Sequence, residues 1–202
     1  YEDRIVYAAI GPDEAIYAIS RAGAPNGKIV KLAAPYERGA LAQAKVLVPE
    51  SGSAILSGGA EQHGEDLTLT ASRLFVRDIV GGPNQVRIFD LDGKPEGRLP
   101  LPDIAANDEI EPLAGGGVLF DVSTYLRPRY YAKWDPATGK IVETDLKTVS
   151  PVSFADAEVT RAFATSKDGT KVPVNIIMKK GTKLDGSHPT LLYGYGGYGV
   201  NM

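Results

Sequence analysis

Gln85-Val86-Arg87-Ile88-Phe89-Asp90-Leu91-Asp92-Gly93-Lys94 and Tyr130-Tyr131-Ala132-Lys133-Trp134-Asp135-Pro136-Ala137-Thr138-Gly139-Lys140 follow one grammar. In each, an apolar-rich strand ends on Asp, turns through Gly-Lys and enters another short strand. Asp90 and Asp135 stand 45 positions apart. A unit of roughly 40–50 residues holding several strands marks a propeller blade. A third copy is expected from Ile16 to Leu32, with Ala24-Pro25-Asn26-Gly27-Lys28 as its turn. Spacing favours a propeller and leaves open a β-sandwich with similar hairpins.

The pattern extends over the segment from Tyr1 to about Val149. Short β-branched and aromatic runs alternate with Gly, Pro, Asn and Asp clusters. Arg4–Ile10, Ala15–Ile19, Lys28–Leu32, Lys45–Val48, Arg73–Arg77, Gln85–Phe89 and Val118–Val122 all read as strands. No stretch of helical length carries a 3.6-residue apolar period.

The chain changes character after about Ser150. Val172, Val174, Ile176 and Met178 alternate with Lys171, Pro173, Asn175 and Ile177, as in a strand. Asp168-Gly169 between this run and Arg161–Ser166 predicts a hairpin with a type I′ turn. Pro173 has no N–H, so it is expected to face away from the ladder or to lie on an edge. A polar loop over Lys179–Pro189 precedes a last expected strand, Thr190–Tyr193, and the glycine-rich Gly194-Tyr195-Gly196-Gly197-Tyr198-Gly199. Closely spaced glycines permit positive φ and close approach of a ligand to the backbone. An aromatic-rich turn that merely packs would look the same.

Composition narrows the function classes. The 202 residues carry a net charge of −3, which gives no global attraction to nucleic acid or an anionic membrane. No apolar run approaches the roughly 18 residues of a membrane span. The chain has no cysteine, which removes disulfides, thiol catalysis and cysteine-ligated zinc. That fits a reducing cytoplasm and leaves the periplasm open. The sequence shows no initiator methionine and no targeting segment, and it opens on a strand and ends in a glycine-rich turn. A piece of a longer protein is the expectation.

Three stretches carry a resemblance: Lys167-Asp168-Gly169-Thr170-Lys171-Val172-Pro173, then Lys180–Pro189, then Leu192-Tyr193-Gly194-Tyr195-Gly196-Gly197-Tyr198. Nearly continuous over about 35 residues, they resemble the start of the catalytic domain in prolyl oligopeptidases. The preceding β repeats resemble that family's later propeller blades. The resemblance implies a mainly β chain. Residues 1–149 would form a partial β-propeller, about three blades of a seven-bladed parent, and 150–202 the first strands of an α/β-hydrolase peptidase domain. It implies a serine endopeptidase that hydrolyses short proline-containing peptides on the carboxyl side of proline through an acyl-enzyme. No metal or cofactor is implied, nor a nucleic-acid or membrane partner, and the parent would be a monomer.

The resemblance also implies roles at two positions. Tyr195 aligns with the family's oxyanion-hole tyrosine. A phenol stays protonated at neutral pH and can donate to the tetrahedral intermediate. Tyr198 aligns with an aromatic wall of the pocket that holds the substrate's proline ring. Typical members carry Phe there. Tyr in a similar loop occurs in the related oligopeptidase B group, which cleaves after basic residues, so proline and basic specificity both stay open. The triad is expected beyond Met202: no Gly-x-Ser-x-Gly occurs, and in this fold Ser, Asp and His all follow the oxyanion loop. His188 precedes that loop and reads as a loop residue. The 202-residue chain alone is expected to be inactive.

Other candidates are weaker. Glu61-Gln62-His63-Gly64-Glu65-Asp66 lacks a second anchored ligand pair for a metal and reads as a solvated loop. Gly115-Gly116-Gly117 opens no helix, which argues against a phosphate cradle. Arg127-Pro128-Arg129-Tyr130-Tyr131 mixes base and aromatic without an extended basic stripe. The rival to an enzyme is a non-catalytic β-propeller interaction module, which would require a closed ring and no peptidase-like tail. An open array leaves edge strands unpaired, so poor solution behaviour is expected.

Overall fold

A computed structural model describes residues 2–36, 39–56 and 67–195. The described residues form three antiparallel sheets in sequence, followed by a hairpin. The first sheet is β1 (Ile5–Ile10), β2 (Ile16–Ser20), β3 (Lys28–Leu32) and β4 (Lys45–Val48), paired in chain order. The second contains β5 (Ala54–Ile55), β6 (Leu67–Leu69), β7 (Arg73–Ile79), β8 (Asn84–Asp90) and β9 (Pro95–Arg98). Both β5 and β6 pair with β7, at Ile79/Asp78 and at Val76–Leu74, so they share one position beside it. The third is β10 (Ile110–Pro112), β11 (Val118–Val122), β12 (Tyr130–Trp134) and β13 (Ile141–Lys147), again in chain order. Each sheet is thus a four-position meander, a propeller blade; we number them I to III.

The blades stack face to face, and blade II shows why its strands are so apolar. In β7 the side chains alternate between two cores. Leu74 and Val76 join Tyr17, Ile19, Ile29 and Val48 of blade I, with Phe89 of β8. Phe75 joins Val118, Phe120, Val122 and Trp134 of blade III, with Val86 and Ile88 of β8. Burial on both faces requires a continuous apolar run rather than alternation. The Phe75 and Trp134 rings meet edge to face at 5.7 Å.

Several polar groups buried in and between the blades are paired. Asp78, fully buried, accepts from Arg87 Nε at 2.6 Å and Nη2 at 2.8 Å and from Gln85 Nε2 at 3.0 Å. Arg77 donates across the seam to the carbonyls of Asn107 and Asp108 in blade III. Asp121 Oδ1 accepts from the Asp108 and Glu109 amides, both at 2.8 Å, and so pins the strand entry to blade III.

The repeat anticipated from sequence is present, with one displacement. Asp90–Lys94 and Asp135–Lys140 both connect the third and fourth strands of a blade, and the Asp90 and Asp135 amides bond the Lys94 and Lys140 carbonyls at 2.9 and 3.0 Å. The Ala24–Lys28 turn instead joins the second and third strands of blade I. In that blade the true counterpart is the connection from Leu32 to Lys45, which includes a 3-10 turn at Ala40–Gln43. The first blade lacks the short Gly-Lys turn at that place, so the matching sequence signal came from a different turn. Among the described residues, no helix is long and apolar enough to cross a membrane.

Candidate functional site

Among the described residues beyond blade III, two strands form a hairpin, β14 (Ala157–Thr165) and β15 (Lys171–Lys179). The Gly169 amide bonds the Ser166 carbonyl at 2.9 Å, and the Ser166 amide bonds the Thr170 carbonyl at 2.9 Å. Only Gly169 has positive φ, at 87°; Lys167 and Asp168 do not. This is a type I turn closed by a left-handed glycine, not the type I′ turn expected from Asp-Gly. The Asp168 carboxylate explains the difference. It accepts from the Thr170 amide at 3.0 Å, a bond that holds Asp168 in its turn and keeps its carboxyl below the usual range.

The hairpin's polar face meets the blades. Arg161 and Asn175 are directly opposed across the two strands. Arg161 Nη2 donates to the Val80 and Gly81 carbonyls of blade II at 2.8 and 2.7 Å. Asn175 Nδ2 donates to Tyr125 Oη of blade III at 2.9 Å. Pro173 lies on this same face and approaches Gly81, as its missing N–H allows in a strand with a free edge. Beside the seam is a cavity of about 250 Å³ lined by Gly82, Pro83, Ile104, Ala106, Tyr125 and Asn175 among others.

After Lys179 the chain turns through a polar loop. Asp185 accepts from the Ser187 hydroxyl at 2.6 Å and its amide at 3.0 Å, and these bonds lower its carboxyl pKa. His188 sits in this exposed loop, as expected for a loop residue, and its carbonyl accepts from the Thr190 hydroxyl. Thr190–Tyr193 is not a strand: Leu191, Leu192 and Tyr193 are 92, 86 and 70% exposed. A central strand needs a neighbour on each side to satisfy its backbone and cover its side chains. Among the described residues none lies beside it. Tyr195 is half exposed and is not among the residues that line the seam cavity. Tyr198, the aromatic-wall candidate, lies outside the described residues, as does Glu61–Asp66. The sequence reading missed Arg161, Asn175 and Tyr125. Their only local signal is the Gly81-Gly82-Pro83-Asn84 stretch between β7 and β8.

Comparison with known proteins gives this arrangement a context. No family model matches the chain. An uncharacterized peptidase, y4nA, of Sinorhizobium fredii is 34% identical over 143 residues, 67% of this chain and 19% of that protein. A prolyl endopeptidase of Elizabethkingia meningoseptica is 29% identical over 135 residues, 63% of this chain and 18% of that protein. The chain therefore spans about a fifth of the length of these curated relatives. Among solved structures, one from a study of two prolyl endopeptidases superposes with a TM-score of 0.77 at 28% identity, covering 97% of this chain and 27% of that one. The blades and the hairpin are thus reproduced together in a protein of that kind. Matched in sequence over most of its length and in backbone over nearly all of it, the chain belongs to the prolyl oligopeptidase family.

Proposed function

We propose that the chain supplies the later propeller blades and the opening segment, 150–202, of the α/β-hydrolase domain of a serine endopeptidase. Its reaction would be hydrolysis of short peptides on the carboxyl side of proline, through an acyl-enzyme. The observation that carries this is the joint superposition of blades and hairpin on a prolyl endopeptidase at 28% identity. In that reading the propeller limits entry to short peptides. Tyr195 donates its hydroxyl to the oxyanion, and Tyr198 walls the pocket for the proline ring. The exposure of Leu191, Leu192 and Tyr193 fits a segment made to be enclosed by further strands. The serine, acid and histidine would lie beyond Met202.

The test has two arms. The purified 202-residue chain should give no turnover of a chromogenic Gly-Pro substrate. Turnover that an active-site serine reagent abolishes would overturn the proposal. In a longer protein that continues past Met202, Tyr195→Phe should lower kcat by roughly 10²–10³-fold, the usual loss for one oxyanion donor. The tyrosine at 198 favours a second specificity, cleavage after basic residues, and the same protein assayed on matched Pro and Arg substrates decides between them.

A further inference from the structure

We infer that the Gly81–Gly82 turn of blade II is a receptor for the Arg161 guanidinium, and that this clasp makes Arg161 a positioning residue. It sets the register of the hairpin, and so of the segment that leads to Tyr195, against the blades. Only the last step rests on the proposed function; the clasp itself does not.

The turn is shaped for its occupant. Gly81 and Gly82 have φ of 61° and 135°, a region where side chains are strained. A Cβ on Gly81 would stand 3.0 Å from Arg161 Nη2, and one on Gly82 3.4 Å from Nη1. Gly81 therefore serves both the backbone conformation and the close approach of the cation, and Gly82 serves the backbone conformation beside it. Two successive carbonyls, of Val80 and Gly81, converge on one guanidinium nitrogen. A flat, multi-donor head can serve such a pair, whereas the point charge of a lysine on a different stem would have to find a new geometry. The guanidinium is also held over the Phe163 ring of its own strand at 5.7 Å, which limits its rotamers.

Other attachments stand beside the clasp: Pro173 approaches Gly81 on the same face, and Ala157 and Lys180 at the hairpin base line a pocket with Arg127 and Tyr130. Asn175, opposite Arg161, reaches blade III through one bond to the exposed Tyr125. The connection from blade III shows Val149 at 83% exposure and also exposes Val152 and Phe154, so it tethers the hairpin without anchoring it. The alternating apolar set Val172, Val174, Ile176 and Met178 belongs to the other hairpin face and contributes nothing to this seam.

The chain has no cysteine, so two can be introduced without background. Spin labels at Lys133→Cys on blade III and Lys167→Cys at the hairpin tip report the distance across the seam, and both sites are exposed. The otherwise unsubstituted chain should give one narrow distance distribution. Arg161→Gln and Gly82→Val, on opposite sides of the clasp, should each broaden it. The double variant should broaden it no further than the larger single effect, because both remove one interaction. Arg161→Lys should restore the narrow distribution only in part. Trp134, the single tryptophan, lies in the core between blades II and III, and its fluorescence and thermal midpoint should not change. A broad distribution in the starting chain, an unchanged one in Arg161→Gln, or loss of the Trp134 signal with it would each overturn the inference. Tyr195→Phe should leave the distances untouched, so failure of the peptidase proposal and failure of the clasp are separable.

Discussion

β7 and β14 are both long antiparallel strands rich in apolar residues, yet their fates differ. Phe75 in β7 is 0% exposed, and Phe163 in β14 is 60% exposed. The difference is position in the stack, not composition. β7 has a blade on either side, so successive side chains enter two separate cores. β14 has one partner strand, β15, and the pair reaches the blades through the Arg161 guanidinium, the Asn175 amide and Pro173. Blade II is thus held by buried apolar area, a non-directional force that scales with surface. The hairpin is held by a few directional bonds whose strength depends on each donor finding its acceptor.

The strongest way to break that comparison is to truncate the two phenylalanines. Phe75→Ala should destabilise the blades by about 3–5 kcal/mol, the usual cost of emptying a phenylalanine site in a core. It also removes the edge-to-face partner of Trp134, so fluorescence-monitored denaturation reports it directly. Phe163→Ala should stay within about 0.5 kcal/mol, as exposed substitutions do. Equal effects would mean that the hairpin is as much a part of the core as blade II.

A smaller effect, confined to acid pH, separates the blade seams from the exposed turns. Burial pushes the Asp13 carboxyl upward. Hydrogen bonds from Lys31, the Ala15 amide and Tyr17 outweigh it and hold the carboxyl below its ordinary value. Lys31 Nζ lies 2.7 Å from Asp13 and also donates to the Leu91 carbonyl at 2.8 Å, so this carboxylate helps fasten blade I to blade II. A carboxyl whose folded pKa is lowered contributes stability above its unfolded pKa, near 3.9 for a free aspartate, and loses it as pH falls through the folded pKa. Denaturation midpoints should therefore fall on acidification below about pH 4, and less steeply in Asp13→Asn. Asp185 is lowered too, but it is fully exposed and bonded only within its own turn. Asp185→Asn should leave the acid limb of blade unfolding unchanged. An unaltered acid limb in Asp13→Asn would remove Asp13 from the seam.

The blades were legible where strands are long and their turns distinctive. Lys28–Leu32, Lys45–Val48 and Val118–Val122 read out with the bounds observed, because β-branched runs ended at glycine or proline. The strands that open blades II and III were not legible. Leu67–Leu69 and Ile110–Pro112 are three residues each, too short to show a period. At the far end, the sequence identified the family through Tyr193–Tyr198 but overstated local order. Thr190–Tyr193 has strand composition, but composition cannot supply the neighbours that a strand needs. Arg161 escaped notice for a different reason. Its role depends on a glycine pair some eighty positions away, a relation that no local pattern encodes.

The finest test of the comparison uses glycine alone. Gly169 and Gly93 both sit at positive φ, 87° and 88°. At Gly169 a Cβ would meet nothing within 4 Å, so Gly169→Ala should cost only the left-handed backbone penalty, about 1 kcal/mol. Because the hairpin is docked through few bonds, that cost should surface as local opening. Hydrogen exchange should quicken at β14 and β15 amides by several-fold and stay unchanged in β7 and β8. At Gly93 the same Cβ would collide with the Leu47 carbonyl of blade I. There the backbone must shift, and the penalty should spread through the I–II core as a lowered global midpoint. One methyl group on the same backbone conformation should thus be felt locally in the hairpin and globally in the blades. If Gly169→Ala instead lowers the global midpoint, hairpin and blades unfold as one unit, and their difference is one of exposure alone.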